Sequence, residues 1–401
     1  MNRVVLIGNG FDLSHGLPTK YENFIDWYWD ERVRGFSNCL SKDSKDPLCL
    51  IENASDTWSM FSYYLPHYHK AFNGKELIDY INTHPSQYRI TKSHFFNNIL
   101  ASVETNGWVD IENEYYKLLT YAALENYSAS NIKELNNQLQ YVEDLLVKYL
   151  VSVSSTGTTT IDSIRAKIYA PINPQDISIE YSDRFRTYIE SCMSQPVSTW
   201  EEKIDCYGLN KLSLISIEDY IRDSKIYHLD YPKMFLLPNR ILLLNFNYTN
   251  TADAYINDKV SYQVHIHGEL SNPKGIIFGY GDEKDTKYFK LQELNENECL
   301  SKIKSIKYME SDNYRKVLSF IDSEPFQIFI MGHSCGNSDR TLLNTLFEHK
   351  NCFSIKPFYY INKDTGKDNY LDLVQNISRN FTDMKLMRDR VVNKTYCETI
   401  V

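Results

Sequence analysis

Short apolar runs bounded by small polar residues stand near both ends of the chain, and a long stretch of helical periodicity lies between them. The runs are Val4–Ile7, Ile241–Asn245, Tyr262–Ile266, Ile276–Phe278, Gln327–Met331 and Phe358–Ile361. Several are near-continuous rather than alternating, the pattern of strands covered on both faces of a parallel sheet. Most end in Gly, Asn, His or Ser, residues suited to the carboxyl edge at which open α/β sheets hold their ligands. The fold class expected is α/β with a parallel-sheet core.

Between the first and second runs the period changes. "HFFNNILASVE", "WVDIENEYYKLLTYAALENY" and "NIKELNNQLQYVEDLLVKYLVSV" place apolar residues three and four apart, which predicts two or three amphipathic helices from Ser93 to about Ser155. "SSTGTTT" (Ser154–Thr160) reads as a loop, with more helix and irregular chain to about Tyr231. The organisation expected is a core from residues 1–92 and 232–401, interrupted by a mostly helical insertion at 93–231. A tandem two-domain arrangement would leave Val4–Ile7 without strand neighbours.

Composition narrows the function. A net charge of −9 disfavours binding to a phosphate backbone, which needs clustered Lys and Arg. The eight cysteines include no CxxC pair, so neither structural zinc nor a secreted disulfide framework is indicated. Reduced thiols fit the cytoplasm. Val4–Ile7 is too short for the core of a secretion signal, and no run approaches the roughly 18 apolar residues of a membrane span. A soluble cytoplasmic protein is expected.

Four stretches carry candidate chemistry. After Val4–Ile7, Gly8 and Gly10 would let backbone approach a ligand, but Leu13 stands where the dinucleotide fingerprint has its third glycine. In "LLLNFNYTNT", Asn245, Asn247 and Thr249 alternate and would share a side, either holding ribose hydroxyls or closing the strand in an Asx turn. In "VHIHGEL", His267 beside Gly268 suits a general base. His265 and His267 also have a metal-ligand spacing, but no nearby cluster supplies further ligands. Gly332–Gly336 is a Gly-x-Ser-x-Gly between a strand and a helix, the context of a hydrolase elbow. The only later histidine, His349, lies on the helix leaving that elbow and cannot swing back over Ser334. Ser334 and Asp339 instead resemble groups that hold a phosphate or ribose at a sheet edge, or that cap the next helix. Asp110, Glu112 and Glu114 suit a helix N-terminus, with a pocket role beside Trp108 as the other reading.

Taken in order, "LIGNGFDLSHGLPTKY", "WVDIENEYY", "LNFNYTNT", "HIHGEL", "FGYGDE" and "IMGHSCGNSDRTLL" resemble the AbiH family of bacterial phage abortive-infection proteins. The resemblance covers the whole chain by motif order and is thinnest between Tyr121 and Pro238. That family is in turn similar, more remotely, to sirtuin-like, Rossmann-type NAD-binding domains. The positions matching that group are Gly8, Gly10, Gly16 and Pro18 for the dinucleotide, Asn247 for the nicotinamide ribose, His267 with Gly268 for the base, and Gly332 with Ser334 for the adenosine half. With their neighbours, the dinucleotide-binding set becomes Gly8, Asn9, Gly10, Phe11, Asp12, Gly16, Pro18, Asn245, Thr249, Gly268, Gly332, Ser334 and Asp339, and the catalytic pair His267 and Asn247.

This chain departs from the sirtuin-like pattern at three places. Thr249 stands where that group has Asp, Asn9, Phe11 and Asp12 replace small residues, and the zinc-binding cysteines are absent. The last point turns the expectation from protein deacetylation to hydrolysis of NAD into nicotinamide and ADP-ribose. The resemblance thus implies an anti-phage NAD glycohydrolase acting without metal, with Asp12 and Glu112 as candidates for stabilising a ribosyl cation. Its partners would be the dinucleotide, a phage-derived trigger and, through assembly, a second copy of the chain, with neither membrane nor nucleic acid indicated. The alternatives are a nucleotide-binding sensor without turnover, a serine hydrolase acting through Ser334, and a metal-dependent nuclease at His265 and His267.

Overall fold

The computed structural model describes residues 1–38, 43–53, 74–83, 88–106, 110–154, 159–195, 197–207 and 233–401. Trp108, residues 155–158 of the expected loop and residues 208–231 of the expected insertion lie outside them. The strands among the described residues are β1 (Asn2–Ile7), β2 (Asp43–Lys45), β3 (Cys49–Asn53), β4 (Tyr88–Lys92), β5 (Ile241–Asn245), β6 (Ser261–His265), β7 (Phe326–Met331) and β8 (Cys352–Phe358). The fold is α/β: five strands form a sheet in the order β6-β5-β1-β7-β8, every neighbouring pair parallel.

The chain divides into two compact units. The first holds Met1–Gly16, Gly157–Ile276 and Tyr308–Val401; the second holds Leu17–Thr156 and Ile277–Lys307. This division cuts the chain elsewhere than at residues 93 and 231.

The first unit is built around the parallel sheet. β1 lies at its centre and all six of its residues are buried, which is why its apolar run is nearly unbroken. On one face Val5, Ile7, Ile241, Leu243, Phe329, Met331 and Phe358 pack against Ile164 and Ile168 of the helix Asp162–Ile168, with Tyr255 and Ile400. On the other, Tyr262 of β6 meets Phe320 of the helix Asn313–Ser323 edge to face at 5.8 Å. Beyond the strand starts, Met1 and Phe353 join a cluster with Phe185 and Ile189 of the helix Ser182–Met193 and Trp200 and Ile204 of Val197–Cys206.

Two strand expectations change. Ile276–Phe278 is buried but forms no strand. The run follows a 3-10 turn at Pro273–Gly275, and its apolar side chains are covered without a strand partner. The last strand lies upstream of Phe358–Ile361, at Cys352–Phe358. Ser354 and Lys356 masked it: both are buried, and their polar atoms meet Gln327 at 2.9 Å and Asp176 at 3.0 Å. Pro357 is tolerated because β8 is the last strand of the sheet.

In the second unit, β2, β3 and β4 make a three-stranded antiparallel sheet that the apolar pattern had not announced. The helices His94–Asn106, Ile111–Thr120 and Ala129–Val153 stand where amphipathic helices were expected. The longest buries Ile132, Leu135, Leu139, Val142, Leu146 and Tyr149, an alternation of three and four residues that keeps one stripe inward. Ser128 caps it through the N–H of Asn131. Among the described residues no helix is long and apolar enough to cross a membrane.

Candidate functional site

The carboxyl ends of β1, β5, β6 and β7 all lie on one edge of the sheet, since the strands are parallel, and the polar residues after them gather there. The strand order reverses between β1 and β7: from β1 the chain builds β5 and β6 to one side, then β7 and β8 to the other. Such a reversal is where open α/β sheets leave a ligand crevice.

In the described form that crossing is occupied by the protein's own backbone. The N–H of Gly10 donates to the carbonyl of Gly332 at 2.8 Å, and that of Gly8 to Met331 at 3.3 Å. A Cβ at Gly8 would lie 2.5 Å from the Cα of His333, and one at Gly332, whose φ is +78°, only 2.1 Å from the Phe11 nitrogen. The small residues of the first and last motifs therefore serve the approach of one loop to the other.

Beside this contact, Asn245 closes β5 as an Asx turn. Its Oδ1 accepts the Asn247 N–H at 2.9 Å and its Nδ2 donates to the Thr249 carbonyl at 3.2 Å. Asn247 in turn donates from Nδ2 to the Gly8 carbonyl at 3.0 Å, tying β5 to the turn after β1. Thr249 donates its hydroxyl to Asp12 Oδ2 at 2.6 Å. Asp12 is buried, and its Oδ1 has no hydrogen-bond partner. Burial raises its pKa above the ordinary carboxylate value, against the opposing effect of the Thr249 hydroxyl.

The imidazole of His267 lies at the centre of a second group. Its Nε2 is 3.2 Å from Asp339 Oδ1 and 3.2 Å from the hydroxyl of Tyr308. The other carboxylate oxygen, Asp339 Oδ2, is 3.4 Å from His333 Nε2. One carboxylate thus lies between two imidazoles, and Phe246 packs against both rings, at 5.4 Å from His267 and 4.1 Å from His333. All three polar residues are buried, His267 at 4% exposure. Asp339 starts the helix Arg340–Phe347 but makes no side-chain cap. A carboxylate beside a histidine Nε2 favours the tautomer in which that nitrogen carries the proton.

The structure therefore brings together Gly8, Gly10, Gly332, Asp12, Asn245, Asn247 and Thr249, and pairs His267 with Asp339. Phe11 is buried in the core behind them. Other expected site residues lie apart. Asn9, Gly16 and Ser334 are exposed, and Gly16 forms the turn that ends the helix Asn9–Ser14. Gly268 backs onto the carbonyl of Gly275, 2.3 Å from where a Cβ would stand. Pro18 and Glu112 belong to the second unit. There the Pro18 carbonyl accepts the Tyr149 hydroxyl at 2.5 Å, and Glu112 pairs with Lys304 at 2.8 Å.

His333, Tyr308 and Phe246 were not legible as site residues. His333 sat inside the Gly-x-Ser-x-Gly read for its serine, and Tyr308 sits some forty residues beyond the histidine it touches. Among the described residues no arrangement favours a serine hydrolase at Ser334. Both nitrogens of His333 face other groups, and His349 contacts Asp322 at 3.3 Å and Phe326 at 5.7 Å, at the start of β7 rather than its end. His265 contacts the Asn247 carbonyl through Nδ1 at 3.2 Å and the Gln263 amide through Nε2. Among the described residues no group of three or more His, Cys, Asp or Glu is arranged to hold a metal ion.

Fold and site together define an α/β protein whose parallel sheet gathers amides, carboxylates and imidazoles at its carboxyl edge. The chain belongs to the bacteriophage abortive infection AbiH family, whose pattern it matches over residues 4–360. Membership implies a role in abortive infection by phage. No curated protein and no solved structure matches the chain.

Proposed function

We propose that this protein is an abortive-infection effector that binds NAD at the carboxyl edge of its parallel sheet and hydrolyses the nicotinamide–ribose bond. The observation that carries this reading is the Asp339–His267 contact of 3.2 Å beside the β1–β7 reversal, an oriented base at the place where such sheets bind dinucleotides. The strand order supports it, being the 3-2-1-4-5 part of the Rossmann arrangement, the fold to which sirtuin-like domains are related.

In the reaction, the C1′–N bond breaks and its electron pair leaves with nicotinamide, which becomes neutral and needs no general acid. The ribosyl centre passes through an oxocarbenium-like state. Water adds to C1′ and gives its proton to the imidazole of His267, while Asp339 stabilises the imidazolium. Asn247 orients the ribose from the turn after β5, and the Asp12 carboxyl accepts a ribose hydroxyl. The products are ADP-ribose, nicotinamide and one proton. With His267 only 4% exposed, the described form is the resting one, and turnover requires the Gly332–Gly336 loop to lift from Gly8 and Gly10.

A second reading draws on that same closure. If the loop contact is a ligand-controlled switch and nothing more, the protein is a nucleotide sensor. Incubating purified protein with NAD, alone and with extract of phage-infected cells, and reading nicotinamide by chromatography separates the two. The enzyme reading expects release in wild type and its loss in His267→Ala with ADP-ribose binding retained. Binding without release under either condition selects the sensor.

A further inference from the structure

The backbone of the Gly332–Gly336 loop is held from two sides. Towards the opening turn, the Gly332 carbonyl accepts the Gly10 N–H. On the other side stands the helix Tyr370–Arg379, closed by Asn380. Asn376 Nδ2 donates to the Ser334 carbonyl at 2.9 Å, and Asn380 Nδ2 donates to the Cys335 carbonyl at 2.9 Å. The two asparagines are four residues apart, so they share one helix face.

Successive carbonyls alternate in direction along an extended chain and line up only across a helical residue, of either hand. Cys335 lies between the two carbonyls that meet this helix, and its φ is +55°. That left-handed conformation costs a residue with a Cβ and is kept only where its surroundings impose it. Here the two amides do so. Asn380 is fully buried, and its Nδ2 also donates to the Asn376 carbonyl at 2.9 Å, while its Oδ1 has no hydrogen-bond partner. Asn376 Oδ1 accepts from Arg379, which fixes the orientation of that amide. Within the loop the Cys335 N–H donates to His333 Nδ1 at 3.0 Å, which ties residues 333–335 into one piece. A loop that rises from Gly8 and Gly10 in one piece must leave both amides, and the strain at Cys335 is relieved when it does.

We propose that Asn376 and Asn380 are a latch that keeps the Gly332–Gly336 loop down on Gly8 and Gly10, and that its release governs entry to the carboxyl edge of the sheet. The proposal rests on reading that edge as the ligand site.

The buried Cys335 thiol reports loop opening, and Cys352 of β8, equally buried and in the same unit, reports wider unfolding. Native full-length protein would be treated with N-ethylmaleimide and the rate at each cysteine read by peptide mass spectrometry. In Asn376→Ala and in Asn380→Ala the Cys335 rate should rise about fivefold or more, with Cys352 unchanged. Affinity for ADP-ribose, read by calorimetry, should rise by the same factor, because the open fraction sets the apparent affinity. A Cys335 rate that keeps its wild-type value in both variants, or rises only in step with Cys352, overturns the proposal. Faster labelling with unchanged affinity for ADP-ribose also overturns it. Should Cys335 respond as expected while no form of the protein binds ADP-ribose, the latch stands and the NAD reading falls. If Asn380→Ala does not fold, Asn376→Ala, at a half-buried position, still decides.

Discussion

Gly10 and Gly332 lie 322 residues apart in the chain, and a 2.8 Å hydrogen bond joins the N–H of the first to the carbonyl of the second. The opening turn and the last motif are thereby packed backbone against backbone, over the ends of β1 and β7. A pattern read as a cradle for phosphate is, in the described form, also a seat for the protein's own loop.

That seat has no room for a methyl group. Gly332→Ala combines a left-handed φ with a Cβ 2.1 Å from the Phe11 nitrogen, and should cost about 3 kcal/mol or more. Gly16→Ala is the control, with φ +79° but nothing within 4 Å; only the backbone term remains, about 1 kcal/mol. Urea midpoints of the two variants would show the difference. Equal, small losses would mean that the loop contact yields easily.

Glu112 and Lys304 form a buried pair in the second unit, with Lys304 1% exposed and the Gly279 N–H also donating to Glu112 at 3.0 Å. Glu112→Gln keeps the shape but removes the carboxylate charge 2.8 Å from a buried ammonium. Breaking one side of a buried pair costs about 3–5 kcal/mol, so a large fall in thermal midpoint is expected. A change below about 1 kcal/mol would mean that the pair behaves as a solvated one.

Arg3 is fully buried within β1. Its guanidinium donates to the Ile168 and Ala170 carbonyls at 2.8 and 2.7 Å and to Gln327 at 3.2 Å, and it lies 4.1 Å from the Phe329 ring centre. Burial pushes its pKa down to about 10, which leaves it charged at neutral pH. Arg3→Met strands those acceptors and should destabilise by roughly 3–5 kcal/mol, measured by chemical denaturation.

Glu348 predicts a pH dependence. Burial alone would raise its pKa, but the Asp383 N–H and the Thr382 hydroxyl and N–H together bring it down to about 2. Because the folded value lies below the unfolded one, ionised Glu348 stabilises fully above about pH 5 and loses that contribution as pH falls towards 2. The advantage of wild type over Glu348→Gln in urea midpoint should therefore shrink between pH 6 and pH 3. A constant difference across that range would count against the hydrogen-bonded carboxylate as its source.

Asp339→Asn tests the proposed chemistry directly. An amide cannot stabilise the imidazolium, so nicotinamide release should drop about a hundredfold or more while nucleotide binding changes little. Equal loss of binding and turnover would place Asp339 in ligand recognition instead.

Much of this was legible in the residues. Runs such as Val4–Ile7 and Ile241–Asn245 announce buried parallel strands because both their faces must be apolar, and the 3–4 alternation from Ile132 to Tyr149 announces its helix. The strand at Cys352–Phe358 was misplaced because Ser354 and Lys356 are polar, and only their buried partners Gln327 and Asp176 make them compatible with an interior strand. His333 stayed hidden for a like reason. Its neighbours in sequence suggested a serine motif, whereas its contacts are with Asp339 and the Cys335 backbone.

The order of residues by itself determined the class of fold, the strand ends with their amides and imidazoles, and the family, because periodicity and turn chemistry are local. Tertiary structure alone decided that Asp339 stands between His267 and His333, and that Gly8 and Gly10 meet Gly332. Those contacts join segments tens to hundreds of residues apart, and only the stacking of parallel strands around β1 brings them to one edge.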